Sequence, residues 1–145
     1  MDGFICLSSP CAPDALESLD LIRLGASAFL AILFLQSGLD KVVDRAGNVE
    51  WLTGHFANSP LASQVKPMLS VITLVELAAG ALCAFGAVWF LFTGSSVVAA
   101  YGALVAMVGL VMLFLGQRLA KDYEGAAVLV PYFLLASGSL WVLGS

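Results

Sequence analysis

Glu76 is the only acidic or basic side chain in the long apolar run Met68–Phe92. An ionised carboxylate at the centre of a bilayer costs about 3 kcal/mol or more, so we expect Glu76 to face protein rather than lipid. A buried acid of this kind is suited to bind a polar ligand or to pass a proton. The alternative is a hydrogen-bonded glutamate that only fixes helix packing, and the sequence leaves both readings open.

A group of polar residues closes the preceding apolar segment. Gln36 and Asp40 are four residues apart, and so are Ser37 and Lys41. Residues at this spacing share a helix face, so the side chains form two neighbouring polar stripes near one membrane surface. An ordinary polar helix end has the same composition, and that reading also stays open.

Depth in the membrane relates these residues to Glu76 and to Tyr132. At 1.5 Å per residue, Glu76 lies roughly 13 Å from the start of its segment, and Gln36 and Tyr132 lie roughly 10 Å from the ends of theirs. We therefore predict one polar pocket that binds the head of a quinone or lipid, or relays a proton. The alternative is a buried hydrogen-bond network that locks the helices together. The candidate residues are Glu76, Lys41, Gln36, Asp40 and Tyr132.

Small residues recur at helical spacing on the segments that would carry this pocket. Gly80 and Ala84 continue the helix face that begins at Glu76, and Gly102 and Gly109 lie on one seam of a later segment. Small side chains let neighbouring membrane helices approach closely. The predicted helix-packing positions are Gly38, Gly80, Ala84, Gly102 and Gly109.

The composition places these elements in a membrane. Of 145 residues, 61% are hydrophobic and only 11% are charged, against about a quarter charged in soluble domains. We predict an all-α polytopic membrane protein with one integral membrane domain over residues 1–145. Four antiparallel transmembrane helices span about 21–43, 67–92, 97–115 and 126–143. A short amphipathic helix over about 49–58, after a turn at residues 45–48, lies on the membrane surface, and a polar loop covers 116–124.

Several kinds of partner and cofactor are not expected. The first twenty residues lack the basic and apolar regions of a cleavable signal peptide. No basic stripe suggests nucleic acid. His55 has no Cys, Asp or Glu at ligand spacing, so we expect no metal. Cys6, Cys11 and Cys83 form no Cys-x-x-Cys pair, so we expect no covalently bound cofactor. Cys6 and Cys11 are free thiols, or a disulfide if the tail is extracytoplasmic.

Basic residues set the expected orientation. The side that holds both termini carries one of them, Arg23, and the side that holds the two longer loops carries the other five. The positive-inside rule therefore predicts that these loops are cytoplasmic and that both termini are extracytoplasmic.

Two of the segments resemble the DoxX-like family of small four-helix membrane proteins, which includes DoxD-like and MauE-like members. The first segment contains Arg23-Leu24-Gly25 and then Phe34–Lys41, FLQSGLDK, and the second contains Glu76 followed by Gly80 and Gly86. The resemblance implies roles for Lys41, Gly38 and Glu76, and similarity to a small subunit of a quinone-linked oxidoreductase. Some members carry an Asp near the end of the fourth span, whereas residues 135–145 here contain no acid.

Three functions follow as hypotheses. The first is an accessory subunit of a larger membrane complex, expected to be quinone-linked and to lie in a bacterial inner membrane, with other subunits and membrane lipids as partners. The second is a stand-alone enzyme or proton-relay protein that uses Glu76 and Lys41, although the chain has no redox or nucleophilic group of its own. The third is a plain membrane scaffold in which no residue is special. The first hypothesis implies no catalytic activity of its own.

Overall fold

The computed structural model describes residues 17–145, and every regular element in that range is a helix. The expectations for Cys6, Cys11 and the rest of the first sixteen residues lie outside the described range. The helices are α1 (Ser18–Val43), α2 (Arg45–His55), α3 (Val65–Thr93), α4 (Val97–Leu119) and α5 (Tyr123–Gly144), and a 3-10 turn over Ala62–Gln64 leads into α3. The all-α prediction is confirmed.

Four of these helices, α1, α3, α4 and α5, are long and apolar enough to cross a membrane. They coincide with the four predicted spans, so the chain is a multi-pass membrane protein. Its outer surface has the matching character, because large apolar side chains such as Ile32, Leu74 and Phe92 are exposed over the length of the bundle. A continuous apolar surface of this size is suited to lipid.

The helix ends differ from the predicted ones where α4 and α5 extend into the charged segment between them. The predicted loop over 116–124 shrinks to 120–122, since α4 continues to Leu119 and α5 begins at Tyr123. Asp122 caps α5, and its Oδ1 accepts the backbone N–H of Gly125 at 2.9 Å. A side-chain oxygen at this position satisfies an otherwise unpaired helix donor.

The surface helix α2 begins four residues earlier than predicted and ends three residues earlier. The predicted turn at residues 45–48 is wrong, because Asp44 caps the helix by accepting the N–H of Gly47 at 3.2 Å. Phe56, directly after α2, is buried, whereas Trp51 is exposed. One side of this segment therefore covers the bundle, and the other side faces outwards.

The helices pack in chain order around one apolar core. α1 packs on α3, α3 on α4 and α4 on α5, while α5 contacts α1 more lightly. Neighbouring spans run antiparallel, since Gly38 meets Leu77 where Gly80 meets Leu35. Each of the four spanning helices contributes to the core, which includes Leu30, Phe34, Ala79, Cys83, Ala103, Leu110, Ala136 and Leu143.

Glycine sets the distance between the helices at two interfaces. A Cβ atom on Gly80 would lie 2.7 Å from the backbone N of Leu35 in α1, and one on Gly102 would lie 2.7 Å from the backbone N of Cys83 in α3. Such distances are too short for any side chain. Gly86, which we did not predict as a packing position, is closer still to the backbone of Ala99.

Gly38, also predicted as a packing position, is tight as well, because a Cβ atom there would lie 2.7 Å from Cδ2 of Leu77. Two other predicted packing positions are looser. A Cβ atom on Gly109 would lie 3.2 Å from Cγ1 of Val75, and Ala84 packs half-buried against the core. Close approach of the helix backbones is therefore confined to part of the predicted small-residue seam.

The two ends of the bundle are closed by different contacts. At one end, which we call the α2 end, Nε2 of His55 lies 3.6 Å from Oδ2 of Asp122 in the α4–α5 connection. At the opposite end, Nε of Arg23 donates to the carbonyl of Val142 at 3.1 Å, and Oγ of Ser96 donates to the carbonyl of Leu143 at 2.6 Å. The connections alternate between the two ends, as four spans require.

Candidate functional site

Lys41 of α1 and Glu76 of α3 form a buried ion pair. Nζ of Lys41 lies 2.9 Å from Oε2 and 3.3 Å from Oε1 of Glu76. Glu76 is only 1% exposed. The sequence predicted both residues as site candidates, and the structure places them in direct contact.

Ser37 joins the pair and completes a chain of hydrogen bonds. Lys41 Nζ donates to Oγ of Ser37 at 2.8 Å, and that hydroxyl donates to Oε1 of Glu76 at 3.1 Å. Nζ also donates to the backbone carbonyl of Ser37 at 3.3 Å. An ion pair with such additional bonds is far better compensated than a bare pair of charges.

The helix positions explain why these residues meet. Ser37 and Lys41 are one turn apart, so both project from the same face of α1. Between them, Gly38 leaves space for Leu77, since a Cβ atom there would lie 2.8 Å from Cγ of Leu77. This close approach of α3 to α1 brings Glu76, the neighbour of Leu77, within reach of Lys41.

One oxygen of the glutamate is held less completely than the other. Oε2 is fully buried, and it receives no hydrogen bond from the part of the chain that the structure describes. Nζ of Lys41 lies 2.9 Å from it as the closest contact of the ion pair. Attraction between the charges therefore holds Oε2, and the atom keeps a free capacity to accept a proton or a hydrogen bond.

A cavity of about 270 Å³ adjoins the ion pair at the α2 end. It lies between α2, the start of α3 and the end of α4. Lys41 lines the cavity, whereas Glu76 does not. Other polar lining comes from His55 and Gln117, and the apolar walls include Leu52, Phe56, Leu69, Ile72, Met112 and Leu113. Ligand sites commonly combine such apolar walls with a few polar groups.

A polar contact holds α2 over this cavity. Nε2 of His55 lies 2.9 Å from Oε1 of Gln117 and 3.6 Å from Oδ2 of Asp122. An amide oxygen only accepts hydrogen bonds, so Nε2 carries the hydrogen and donates it. The Trp51 ring stacks on His55 with 4.6 Å between the ring centroids. This group was not predicted from the sequence, because His55 and Asp122 are far apart in the chain and meet only through the fold.

Three predicted pocket residues lie elsewhere. The side chains of Gln36 and Asp40 are exposed on α1, because each is displaced by about 100° around the helix from its neighbour Ser37 or Lys41. Tyr132 is half-buried against the apolar core, on a helix that packs mainly on α4 rather than on α3. The predicted group of five thus divides into the Lys41–Glu76 pair and three residues that the structure does not bring to it.

The described residues offer few ligands for a metal ion. Within 17–145, no three His, Cys, Asp or Glu side chains are grouped so that they could hold one. The groups that the structure shows at the site are an ion pair joined by Ser37, a carboxylate oxygen without a hydrogen bond from the described residues, and an adjoining apolar cavity beneath α2. Comparison of the chain with protein-family models, with curated proteins and with solved structures finds no match in any of the three.

Proposed function

We propose that this protein is an accessory subunit of a larger membrane complex and that it binds the head of a quinone or lipid beneath α2. The observation that carries the proposal is the apolar cavity beside the buried Lys41–Glu76 pair. Its walls suit a hydrocarbon-bearing molecule, and its few polar groups suit a head group that hydrogen-bonds. The proposed location is a bacterial inner membrane, with both termini on the extracytoplasmic side.

The role as an accessory subunit is supported by how little of the described chain lies outside the membrane helices. Among the described residues, the connections between helices are short, and α2 is the only sizeable element outside the four spans. The resemblance of the Phe34–Lys41 and Glu76 segments to DoxX-like proteins supports membership of that family and of a quinone-linked complex. Under this proposal the chain has no catalytic activity of its own and supplies a binding site to its partners.

The test is purification of the tagged protein from its native membrane in a mild detergent. We expect other membrane subunits to copurify in fixed ratio, as measured by mass spectrometry, and a quinone or lipid to be extracted with them. An absorbance spectrum of the sample reports any haem or flavin in a partner. A solitary protein that carries neither quinone nor a defined lipid would contradict the proposal.

A matched pair of variants ties the bound molecule to the cavity. Gly116 lines the cavity, and a Cβ atom there would meet only Cζ of Phe56, at 3.7 Å. Gly116→Leu should therefore fill the cavity and reduce the extracted molecule several-fold. Gly138→Leu is the control, since nothing lies within 4 Å of a Cβ atom at that position. Equal loss in both variants, or in neither, would place the bound molecule elsewhere.

A proton-relay function is the second candidate, and the chain of hydrogen bonds from Lys41 through Ser37 to Glu76 favours it. The free capacity of Oε2 would let the carboxylate accept a proton. The test is proton flux into proteoliposomes, followed with an enclosed pH-sensitive dye. Under this candidate, Glu76→Gln abolishes the flux while the protein still assembles, whereas unchanged flux removes the candidate.

A further inference from the structure

We infer that the cavity beneath α2 selects a neutral head group and disfavours an anionic one. The inference deepens the proposed function and rests on it. Two residues that line the cavity are able to carry charge, Lys41 and His55. The cavity would attract an anion only if one of these two residues presented an unbalanced positive charge to it.

The charge of Lys41 is already balanced on the side away from the cavity. A lysine ammonium has three N–H donors. In this structure they face the Ser37 hydroxyl, the Ser37 carbonyl and the Glu76 carboxylate. Glu76 supplies one full negative charge within 2.9 Å. An anionic head group in the cavity would have to compete with this buried carboxylate for the same ammonium.

His55 is balanced in a similar way. Its Nε2 faces the Gln117 amide oxygen and the Asp122 carboxylate, which both favour a hydrogen on that nitrogen.

The remaining basic residues of the α2 end do not line the cavity. Arg45 donates to the Ser70 hydroxyl, and Arg118 lies over the Tyr123 ring. Lys66 and Lys121 are exposed. The acidic residues near α2, Asp44 and Glu50, are exposed as well.

The ligand class follows from this balance. Moving an anion into an apolar site without a free counter-charge is costly, whereas a neutral group that accepts a hydrogen bond loses little. A quinone ring and the glycerol ester of a neutral lipid share that chemistry. Leu115 and Leu119 line the cavity and are also exposed on the outer surface of α4. A hydrocarbon tail can therefore leave the cavity directly into the surrounding lipid.

The chain contains a fluorescent reporter for this site. Trp51 stacks on His55, which lines the cavity, whereas Trp89 and Trp141 lie near the opposite end of the bundle. The double variant Trp89→Phe/Trp141→Phe leaves Trp51 as the only tryptophan. The control, Trp51→Phe, keeps the two distant rings and reports simple partitioning of a quencher into the membrane.

The test measures quenching in lipid nanodiscs with three probes: decylubiquinone, a bromine-labelled monoacylglycerol, and a bromine-labelled alkyl sulfonate of the same chain length. We expect a neutral probe to quench Trp51 at a concentration about tenfold lower than the sulfonate needs. The two neutral probes distinguish a quinone from a neutral lipid. Quenching by the sulfonate at the same or a lower concentration overturns the inference and leaves a ligand site in place. No quenching beyond the Trp51→Phe control overturns the proposed binding function as well.

Glu76→Gln provides a second test, because it removes the charge that balances Lys41. In this variant we expect the sulfonate to gain about tenfold in affinity while the neutral probes change little. If this variant does not fold, the comparison of the three probes on the protein with Glu76 intact still tests the inference. A folded Glu76→Gln protein whose probe preference matches the wild type would contradict the proposed role of charge balance.

Discussion

A buried lysine–glutamate pair such as Lys41–Glu76 depends on both of its members. The Glu76 carboxylate is buried and the Lys41 side chain is 19% exposed, and each charge is compensated mainly by the other and by Ser37. Removing one partner of such a pair commonly costs about 3–5 kcal/mol, because the remaining charge is buried alone. Replacing both partners with apolar side chains of similar volume is often close to neutral. The pair is therefore weak evidence for stability and better evidence for a specific arrangement of α1 and α3.

A double-mutant cycle tests this dependence. We expect Lys41→Met and Glu76→Met each to lower the free energy of unfolding by about 3 kcal/mol, and the double variant to lose less than the sum of the two. Unfolding is followed by circular dichroism during titration of mixed micelles with sodium dodecyl sulfate. Gln36→Met is the control on the same helix, and its exposed side chain should change the free energy by less than about 0.5 kcal/mol. Strictly additive losses would show that the two residues do not act together.

The site could be predicted from the sequence only in part. The predicted and observed sets of site residues differ because the sequence does not give the rotation of each helix about its own axis. Lys41 and Glu76 stand out because a charge in an apolar segment must face protein or a surface. Depth in the membrane follows from counting residues, and it correctly relates Glu76 to the end of α1. The direction in which a side chain points also depends on how the helix is turned, and this separates Gln36 and Tyr132 from Glu76. Contacts such as His55 with Gln117 depend on tertiary packing and leave no local signal.

At the scale of helices, glycine determines how closely α1, α3 and α4 approach. Membrane helices are held by close packing and by hydrogen bonds, since lipid is as apolar as their own side chains. The α1–α3 interface places Gly38 and Gly80 against leucines of the facing helix, at the level of the Lys41–Glu76 pair and one turn beyond it. A change in this spacing should therefore disturb the ion pair as well as the packing.

Gly80→Ala tests the spacing against Gly138→Ala. The new methyl group of Gly80→Ala would overlap the backbone of Leu35, so the helices must move apart, at an expected cost of about 1–3 kcal/mol. Gly138 lies inside α5 with open space around it, so its replacement should stabilise the helix by about 0.5–1 kcal/mol. Thermal unfolding in detergent measures both. A destabilised Gly138→Ala, or an unaffected Gly80→Ala, would contradict the packing described here.

The positions of the helices were more predictable than their ends. Hydropathy locates α1, α3, α4 and α5, because each must be apolar over about 20 residues to cross a bilayer. Their ends are set by single capping side chains, and Asp44 and Asp122 are ordinary acidic residues until the helix that follows each of them is known. The helix α2 was therefore displaced in the prediction, and the loop over 116–124 was too long.

At the scale of the whole molecule, the basic residues are distributed very unevenly between the two ends of the bundle. Five of the six Lys and Arg residues lie at the α2 end or within its last turns, and Arg23 lies at the opposite end. The α1–α3 connection, which contains α2, and the α4–α5 connection lie at the same end of the bundle, as the alternation of four spans predicts. The contacts of His55 with Gln117 and Asp122 join them. Positive residues in short connections are retained on the cytoplasmic side during insertion. The proposed orientation would therefore place the proposed ligand cavity in the cytoplasmic half of the membrane.

Fusions at Ser145 test this orientation. We expect green fluorescent protein fused there to remain dark and alkaline phosphatase to be active, because the first folds only in the cytoplasm and the second only outside it. Bright green fluorescent protein together with inactive alkaline phosphatase would contradict this orientation. The α2 end and its cavity would then lie on the extracytoplasmic side. Because the rule counts positive charges near the spans, exchanging Lys66, Arg118 and Lys121 for Gln should weaken the preference and give a mixed population. The conservative control, Arg118→Lys, keeps the charge and should keep the fluorescence dark.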